Sequence, residues 1–289
     1  MSSNLKNDYA QTMIRDDFER SLVEYWDTKQ DDAINLLLGA EDGLYHHHFG
    51  LGDFDRTLEH APPDEREARV LEEMHRLENA QARALVEALG DVRPEHRVLD
   101  AGSGRGGTSF VAYDRYGCYV DGVNFSSYQV DYANRLAASR GCADKVRFHL
   151  RNMVDTGFPD NYFNFIFTNE TTPYADLTEL FTELSRVLAP GGRYVGATWC
   201  RNDAVAQQSP EVLEIDAHYI CRTHRRSTYF RRLAEHNLVP RTVIDHTLAA
   251  TPYFEVRLLT RLRTGSEQPY LDCYRKKLMD YIFFVVERV

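Results

Sequence analysis

The sequence lacks any apolar run of about 18 residues, the length that a helix needs to cross a bilayer. Its first twenty residues are polar and contain no apolar core of a signal peptide, so we expect a cytoplasmic protein. The five cysteines are scattered and form no CxxC pair, which argues against a zinc site and against a disulfide framework. These absences exclude membrane-embedded and disulfide-stabilised classes of protein.

Positive charge is also scarce. Lys and Arg total 34 against 44 Asp and Glu, and the formal net charge is −10. A broad basic face for nucleic acid or an anionic membrane is therefore not expected. Hydrophobic residues make up 43% of the 289 positions, enough to bury a large core and enclose a pocket. We expect a small-molecule partner.

The order of apolar patterns divides the chain. From Arg97 onward, short apolar runs alternate with helical stretches, which is typical of a doubly wound parallel sheet. Residues 1–92 instead have helical spacing, with a loop at 39–54 rich in glycine, histidine and aromatic residues. We predict an α/β fold in which 1–92 form a helical cap with a substrate loop and 93–289 form the main domain. Within it, 201–240 are predicted to be a helical insertion over the functional site.

The segment VLDAGSGRGG at 98–107 follows a predicted strand and opens a helix. Glycines allow a sharp turn and a close approach of the backbone to a ligand, and the helix N-terminus presents free N–H groups. The GxGxGG spacing departs from the GxGxxG pattern of dinucleotide-binding proteins. A glycine loop alone is a weak signal, and a purely structural turn is the alternative.

Further segments resemble S-adenosylmethionine (SAM)-dependent methyltransferases. Residues 121–129 (DGVNFSSYQ) are similar to the GVTLSxxQ segment of carbon-methylating enzymes such as cyclopropane-fatty-acid synthases. The resemblance implies a class I methyltransferase fold, a Rossmann-like sheet of seven strands, with SAM as the methyl donor. It also implies that Gln129 reaches the ribose, that Phe125 lies against the adenine and that Asp100 faces the amino-acid end of SAM. The predicted donor-binding residues are Asp100, Gly102, Ser103, Gly104, Asn124, Phe125, Gln129, Asn152, Met153 and Asn169.

Two other segments resemble a narrower group. Residues 42–52 (DGLYHHHFGLG) and 169–176 (NETTPYAD) are similar to motifs of the geranyl diphosphate C-methyltransferases, and the resemblance extends over 25–289. The same terpenoid group includes teleocidin-type methyltransferase-cyclases, which act on a geranyl chain attached to an indole alkaloid. The resemblance implies a homo-oligomer that methylates an alkene carbon of a geranyl-type chain in natural-product biosynthesis.

This chemistry needs particular side chains. An alkene that attacks a sulfonium methyl group becomes a carbocation, which aromatic faces stabilise and which must be kept from water. A base then removes a proton, or ring closure traps the cation. Glu170 is the candidate base, because it follows a parallel strand at the edge where ligands bind. The other catalytic or pocket-wall candidates are Tyr45, His46, Phe49, Tyr174, Trp199, Tyr219 and Tyr253.

Each candidate has an alternative. Glu170 suits the N-terminus of a helix, and the aromatic residues suit a core. Histidines at adjacent positions 46–48 do not converge on one ion, so we predict no protein-held metal; one histidine should face the pocket while the others pack. Arg225 and Arg226 suit a diphosphate or a solvated helix face, and the solvated face is favoured.

Residues 200–211 depart from the family pattern, because they contain no aromatic residue where the geranyl diphosphate enzymes have tryptophans. This favours a roomier pocket and a larger prenylated aromatic acceptor. Free geranyl diphosphate, which would require Mg²⁺, is the alternative. A small-molecule N- or O-methyltransferase and a non-catalytic SAM-binding protein remain as rival interpretations.

Overall fold

The computed structural model describes residues 13–289. Its centre is a seven-stranded sheet of order β3-β2-β1-β4-β5-β7-β6, in which only β7 runs antiparallel to its neighbours. The strands are β1 (Arg97–Ala101), β2 (Tyr119–Asn124), β3 (Val146–Leu150), β4 (Phe163–Asn169), β5 (Leu188–Arg201), β6 (Leu238–Asp245) and β7 (Met279–Arg288). The predicted seven-stranded, Rossmann-like class I fold is confirmed.

Helices cover both faces of the sheet. Local sequence sets several of their starts: the side chains of Asp16, Ser126 and Asp176 cap free N–H groups at three helix N-termini. The helices are α1 (Asp17–Asp27), α2 (Ala33–Leu38), α3 (Pro63–Glu87), α4 (Gly107–Tyr116), α5 (Ser127–Ser139), α6 (Leu177–Val187), α7 (Pro210–Tyr219), α8 (Arg226–Glu235), α9 (Thr247–Arg257) and α10 (Glu267–Arg275).

The cap region consists of α1 to α3 and the loop between α2 and α3. Helix α3 packs against α4, α9 and β4, while α1 contacts α5. Residues 1–12 of the predicted cap lie outside the described residues. The division into a cap and a main domain stays a prediction.

The segment at 201–240 contains two helices with different surroundings. Helix α7 packs against α10, whereas α8 packs against β6 and α6 as a layer helix of the sheet. Helices α9 and α10, which connect β6 to β7, were not assigned from sequence. They pack against each other, and α9 also contacts α3. No helix within 13–289 has the length and apolar character required to cross a bilayer.

Candidate active site

A cavity of about 140 Å³ lies at the carboxyl ends of the parallel strands. Its wall includes the glycine loop after β1, the ends of β2 and β4, and parts of the cap. The parallel pairing of β1 with β2 and β4 brings these strand ends together. All of the predicted donor-binding residues except Asn152 line this cavity.

The glycine loop is held tightly against the end of β4. Gly102 has φ +95°, and a Cβ there would lie 2.4 Å from the Thr171 methyl group. The Thr171 hydroxyl donates to the Ala101 carbonyl oxygen at 2.7 Å. Gly104, at φ +54°, faces the cavity, and its nearest neighbour is the His47 ring at 3.5 Å from an added Cβ. At Gly102, only glycine can adopt this positive φ and also leave room for the Thr171 methyl group.

Two buried polar groups beside the loop have unused capacity. Asp100 is 2% exposed and accepts a hydrogen bond from Ser109 at 2.6 Å. Burial raises the pKa of Asp100 to about 7, and the Ser109 bond opposes this rise. The Oε1 atom of Gln129 accepts from the Asn124 amide at 2.6 Å. Its buried Nε2 group has no protein partner among the described residues. Both groups are therefore open to a polar ligand.

Asn169 and Asn152 are already engaged by the protein. Asn169 lines the cavity, but its amide exchanges hydrogen bonds with Gln81 at 2.7 and 3.0 Å. Asn152 lies instead on a smaller neighbouring cavity and donates to Glu19 at 3.0 Å. Direct contact of Asn152 with SAM stays a prediction.

The Glu170 carboxyl group is buried at the cavity and hydrogen-bonded by the protein. Its backbone has φ +59°, and the side chain is 4% exposed. Oε1 accepts from the Tyr281 hydroxyl at 2.5 Å and from the Phe49 N–H at 3.1 Å. These donors do not belong to the N-terminus of a following helix, and Asp176 caps α6, so the position of Glu170 does not support a helix N-terminal acid. Burial raises the pKa of Glu170 to about 8; the bonds from Tyr281 and Phe49 oppose this, and nearby Glu78 adds to it.

Aromatic rings surround the same space. We call Trp26, Phe49, Tyr174, Trp199 and Tyr219 the aromatic wall, since each lines the cavity. The Phe49 centroid lies 5.9 Å from Trp199 and 6.5 Å from Tyr219. Such faces stabilise a positive charge placed between them.

Tyr253 is not part of this wall. It lies behind Phe49, with centroids 5.9 Å apart, and its hydroxyl donates to Glu78 at 2.5 Å. The interpretation of Tyr253 as a core residue is the one that its position supports.

The histidines at 46–48 all contribute to the cavity wall, so the expectation that only one would face it was wrong. The loop after α2 has no regular secondary structure at 46–47, and all three residues belong to one wall. His47 accepts from Arg105 at 3.0 Å, and His46 and His48 contact each other at 2.9 Å. Tyr45 also lines the cavity and packs edge-on against Tyr132.

Comparison with known proteins places this site in a family. A methyltransferase-domain family model matches residues 98–192. A geranyl diphosphate 2-C-methyltransferase of Saccharopolyspora erythraea is 46% identical over 94% of this chain and 95% of that protein. Its counterpart from Streptomyces coelicolor strain A3(2) is 41% identical over 94% of this chain and 93% of that protein.

A crystal structure of the Streptomyces coelicolor relative is also similar to this chain. The geranyl diphosphate C-methyltransferase of Streptomyces coelicolor A3(2), solved in complex with Mg²⁺, geranyl-S-thiolodiphosphate and S-adenosyl-L-homocysteine, aligns with a TM-score of 0.92 and 40% identity. The alignment covers 96% of this chain and 99% of that chain.

The chain belongs to the geranyl diphosphate C-methyltransferase family. The recognition of a terpenoid C-methyltransferase from sequence is thereby confirmed, and the rival N- or O-methyltransferase and non-catalytic interpretations are not supported. What remains to be explained is which residues of the cavity bind the acceptor.

Several residues of the cavity wall were missed from sequence. Arg105 stood inside the glycine motif but was not singled out, although it is fully buried. The others come from α1, α2, α7 and α9 or from the segments beside them, and their place over the cavity depends on tertiary packing. The missed lining residues include Tyr25, Trp26, Lys29, Asp32, Asn35, Arg105, His218, Arg257 and Thr264.

Two other sequence arguments also depend on where side chains lie. Residues 200–211 do not line the cavity, so their lack of aromatic residues does not enlarge it. Arg225 and Arg226 lie outside it as well. Arg226 pairs with Asp245 and Asp280 at 3.1 and 3.3 Å, and Arg225 donates to backbone carbonyl groups. Both are half-buried and bound by the protein, so neither lies on the solvated helix face that the sequence favoured.

Tyr281→Phe tests how Glu170 is tuned. Loss of the 2.5 Å hydroxyl bond should raise the pKa of Glu170 further, because that bond stabilises the ionised carboxylate. The pH at which kcat/KM rises should then increase by about one pH unit, because one such hydrogen bond is worth about one pKa unit. Tyr274→Phe is the matched control, since the buried Tyr274 hydroxyl has no partner among the described residues. Identical profiles for Tyr281→Phe and the unmodified protein would contradict this role.

Proposed function

We propose that this protein transfers the methyl group of SAM to an alkene carbon of geranyl diphosphate and that Glu170 removes a proton from the resulting carbocation. One observation carries the proposal: a buried carboxyl group, held at Oε1 by Tyr281 and Phe49, in a cavity shared by the glycine loop and the aromatic wall. A base, a cation-stabilising surface and a donor loop thus occupy one enclosed space.

The residues beside the loop fit SAM. The buried Asp100 carboxyl suits the SAM ammonium group, and the unpartnered Nε2 of Gln129 suits a ribose hydroxyl. When bound, SAM supplies the electrophilic methyl group. Gly104 leaves room for close approach of the donor beside the N-terminus of α4.

The aromatic wall and Glu170 act on the positive charge that the reaction creates. The π electrons of the acceptor form the new C–CH₃ bond as the C–S bond breaks, and the other alkene carbon becomes cationic. The aromatic wall and the ionised Glu170 stabilise that cation. When Glu170 takes a proton from carbon, the C–H electrons restore an alkene. Deprotonation, not ring closure, is therefore the proposed end of the reaction.

One buried cation in the cavity wall, Arg105, favours an anionic acceptor. Lys29 and Arg105 line the cavity, and Arg105 has no carboxylate within 4 Å among the described residues. Its Nε is also unpartnered and buried. A buried guanidinium without an anion is costly, so a diphosphate offers the missing charge, whereas a geranylated indole does not. This ranks geranyl diphosphate above the larger prenylated aromatic that the sequence had favoured.

Mg²⁺ fits this proposal as a companion of the diphosphate. The described residues contain no group of three His, Cys, Asp or Glu side chains arranged for a metal ion. The ion would therefore be held mainly by diphosphate oxygens and water, as is usual for Mg²⁺. A homo-oligomeric state and a cytoplasmic location stay predictions.

A turnover assay tests the proposal. Labelled SAM is incubated with geranyl diphosphate or with a geranylated indole, each with and without Mg²⁺. Efficient Mg²⁺-dependent methylation of the diphosphate is expected. Methylation of the indole alone would overturn the ranking of acceptors, and methylation of neither would overturn the proposed function.

Arg105→Gln tests the anion-binding part of the proposal. Removing the charge should weaken geranyl diphosphate binding by about 10- to 100-fold, the value of one hydrogen bond to a charged group. Because Arg105 also donates to the Lys29 carbonyl oxygen at 2.8 Å, SAM affinity is measured in parallel to detect a displaced cap. Arg231→Gln, at an exposed position of α8, is the matched control. Unchanged diphosphate affinity in Arg105→Gln would assign the residue to the cap alone.

A further inference from the structure

Gln81 is a fully buried residue of α3 that does not itself line the cavity. Its Nε2 group donates to Asn169 Oδ1 at 2.7 Å and to the Tyr281 hydroxyl oxygen at 2.9 Å. Its Oε1 atom accepts from Asn169 Nδ2 at 3.0 Å. One side chain therefore joins the residue that precedes Glu170 in the chain to the residue that donates to the Glu170 carboxyl group.

The two carboxyl oxygens of Glu170 have different surroundings. Oε1 accepts from the Tyr281 hydroxyl at 2.5 Å and from the Phe49 N–H at 3.1 Å. Oε2 has no hydrogen-bond partner among the described residues and is not fully buried, so it is the oxygen that faces the cavity. Oε1 is thus held by the protein, whereas Oε2 is free to accept a proton from a ligand.

The direction of the Tyr281 hydroxyl proton follows from its two neighbours. An ionised Glu170 can only accept a hydrogen bond, so the proton of Tyr281 must point towards it. A hydroxyl group has a single proton, so the second contact of Tyr281 requires a donor, and the Nε2 group of Gln81 is that donor. If the Gln81 amide were reversed, its oxygen would compete with Glu170 for the proton of Tyr281.

The pairing with Asn169 holds the Gln81 amide in this orientation. Reversal of Gln81 alone would place its oxygen against Asn169 Oδ1 and its nitrogen against Asn169 Nδ2. Asn169 Nδ2 also donates to the Thr108 hydroxyl oxygen at 3.1 Å. A reversal would therefore have to change the hydrogen bonds of three residues together.

We propose that Gln81 is a positioning residue for the base: by donating to Tyr281, it directs the hydroxyl proton to Glu170 Oε1 and leaves Oε2 to take the proton from carbon. This inference rests on the proposed function, because it explains how the base of that reaction is held. Burial raises the pKa of Tyr281, and the bond from Gln81 opposes this rise. The same bond polarises the hydroxyl group and strengthens its bond to Glu170, because hydrogen bonds in a chain reinforce one another.

Proton NMR of the hydroxyl group tests the proposed orientation directly. A hydroxyl proton in a short bond to a buried carboxylate exchanges slowly and resonates far downfield, and Tyr281→Phe assigns this signal by its loss. Gln81→Met keeps the length of the side chain but removes the donor, so the signal should move upfield. The Tyr253 hydroxyl is an internal control, since it donates to Glu78 at 2.5 Å and has no hydrogen bond with Gln81. Its signal should stay in place.

Steady-state kinetics measures what this orientation contributes to turnover. Gln81→Met should lower kcat by up to about 10-fold, the value of one neutral hydrogen bond, while KM for geranyl diphosphate stays unchanged. The loss should be much smaller in the Tyr281→Phe background, because no hydroxyl proton is left to direct. Gln268→Met, at an exposed position of α10, is the matched control and should keep the kcat of the unmodified protein.

The unmodified protein offers a test that does not depend on a variant. If Gln81 donates to Tyr281, its Nε2 protons lie close to the hydroxyl proton, and a nuclear Overhauser effect should connect them. The Gln81 amide protons should also be protected from exchange, since both are hydrogen-bonded. Absence of the Overhauser effect would overturn the proposal even if Gln81→Met does not fold.

The outcomes separate the two proposals. An unmoved Tyr281 signal in Gln81→Met, or an equal loss of kcat with and without the Tyr281 hydroxyl, overturns the positioning role and leaves the proposed function intact. Absence of methylation of geranyl diphosphate by the unmodified protein overturns the proposed function, and the positioning of its base falls with it.

Discussion

Glu170→Gln should slow methyl transfer by a factor on the order of 10² or more while SAM affinity stays unchanged, since this is the usual contribution of a positioned base. Glutamine keeps the size of the side chain and can still accept from Tyr281 and Phe49, but it has neither the charge nor the basicity of the carboxylate. Product analysis separates these losses. A lost base predicts altered alkenes or water-trapped products, whereas lost charge alone predicts the same products more slowly.

The same substitution should stabilise the fold at high pH. The pKa of Glu170 is about 8 in the folded protein and 4.5 in its ordinary state, so folding favours the protonated form. Its contribution to stability is fully present below pH 4.5 and is lost as the pH rises through 8. Glutamine does not titrate. Above pH 8, Glu170→Gln should therefore be more stable by up to about 5 kcal/mol, since each pKa unit is worth about 1.4 kcal/mol.

Denaturant unfolding at pH 6 and pH 9 measures this difference. Glu183→Gln is the matched control: Glu183 is also a buried glutamate, but its bonds to Arg186 and Thr156 lower its pKa. That variant should be less stable than the unmodified protein at neutral pH. Wild-type turnover and unchanged stability at pH 9 in Glu170→Gln would make Glu170 a structural residue and refute the mechanism.

Gly104→Val should abolish measurable SAM binding without unfolding the protein. The residue faces the cavity at φ +54°, and a Cβ there meets only the His47 ring at 3.5 Å, so the branched side chain would project into the space for the donor. The left-handed backbone adds a strain of about 1–2 kcal/mol, which a stable fold tolerates. Calorimetry with SAM and a thermal melt measure the two effects separately.

Gly141→Val is the matched control for the backbone strain. Gly141 has φ +69° after α5, and no atom lies within 4 Å of an added Cβ. It should lose a similar amount of stability and keep its SAM affinity. If Gly104→Val binds SAM as tightly as Gly141→Val does, the loop is not the donor site.

The fold and the glycine-loop side of the cavity could be predicted because their signals are local. A strand, a glycine turn and a helix N-terminus are adjacent in the chain at 97–107. Asn124 likewise ends β2, and Gln129 follows it closely. Parallel strands then bring such segments to one edge of the sheet. Helix α9 was missed because Pro252 lies inside it and its apolar residues cover more than one face, which removes the helical periodicity.

The rest of the cavity wall could not be predicted in the same way, because the residues that contact one another there are far apart in sequence. Tyr281 contacts Glu170 across 111 positions, and Arg105 reaches the Lys29 carbonyl oxygen across 76. Residues 200–211 show the reverse case: they follow the strand that carries Trp199, yet they lie outside the cavity.

The sequence by itself thus determined the sheet, the glycine loop at the cavity, the family and the identity of Glu170 as a residue at the end of β4. Only the tertiary structure decided the setting of that carboxyl group, whose raised pKa comes from burial and whose bonds come from Phe49 and Tyr281. It also decided that all the histidines at 46–48 face one cavity and that two of them meet at 2.9 Å. The physical reason is that secondary structure follows from neighbours in the chain, whereas desolvation and hydrogen-bond partners follow from long-range packing.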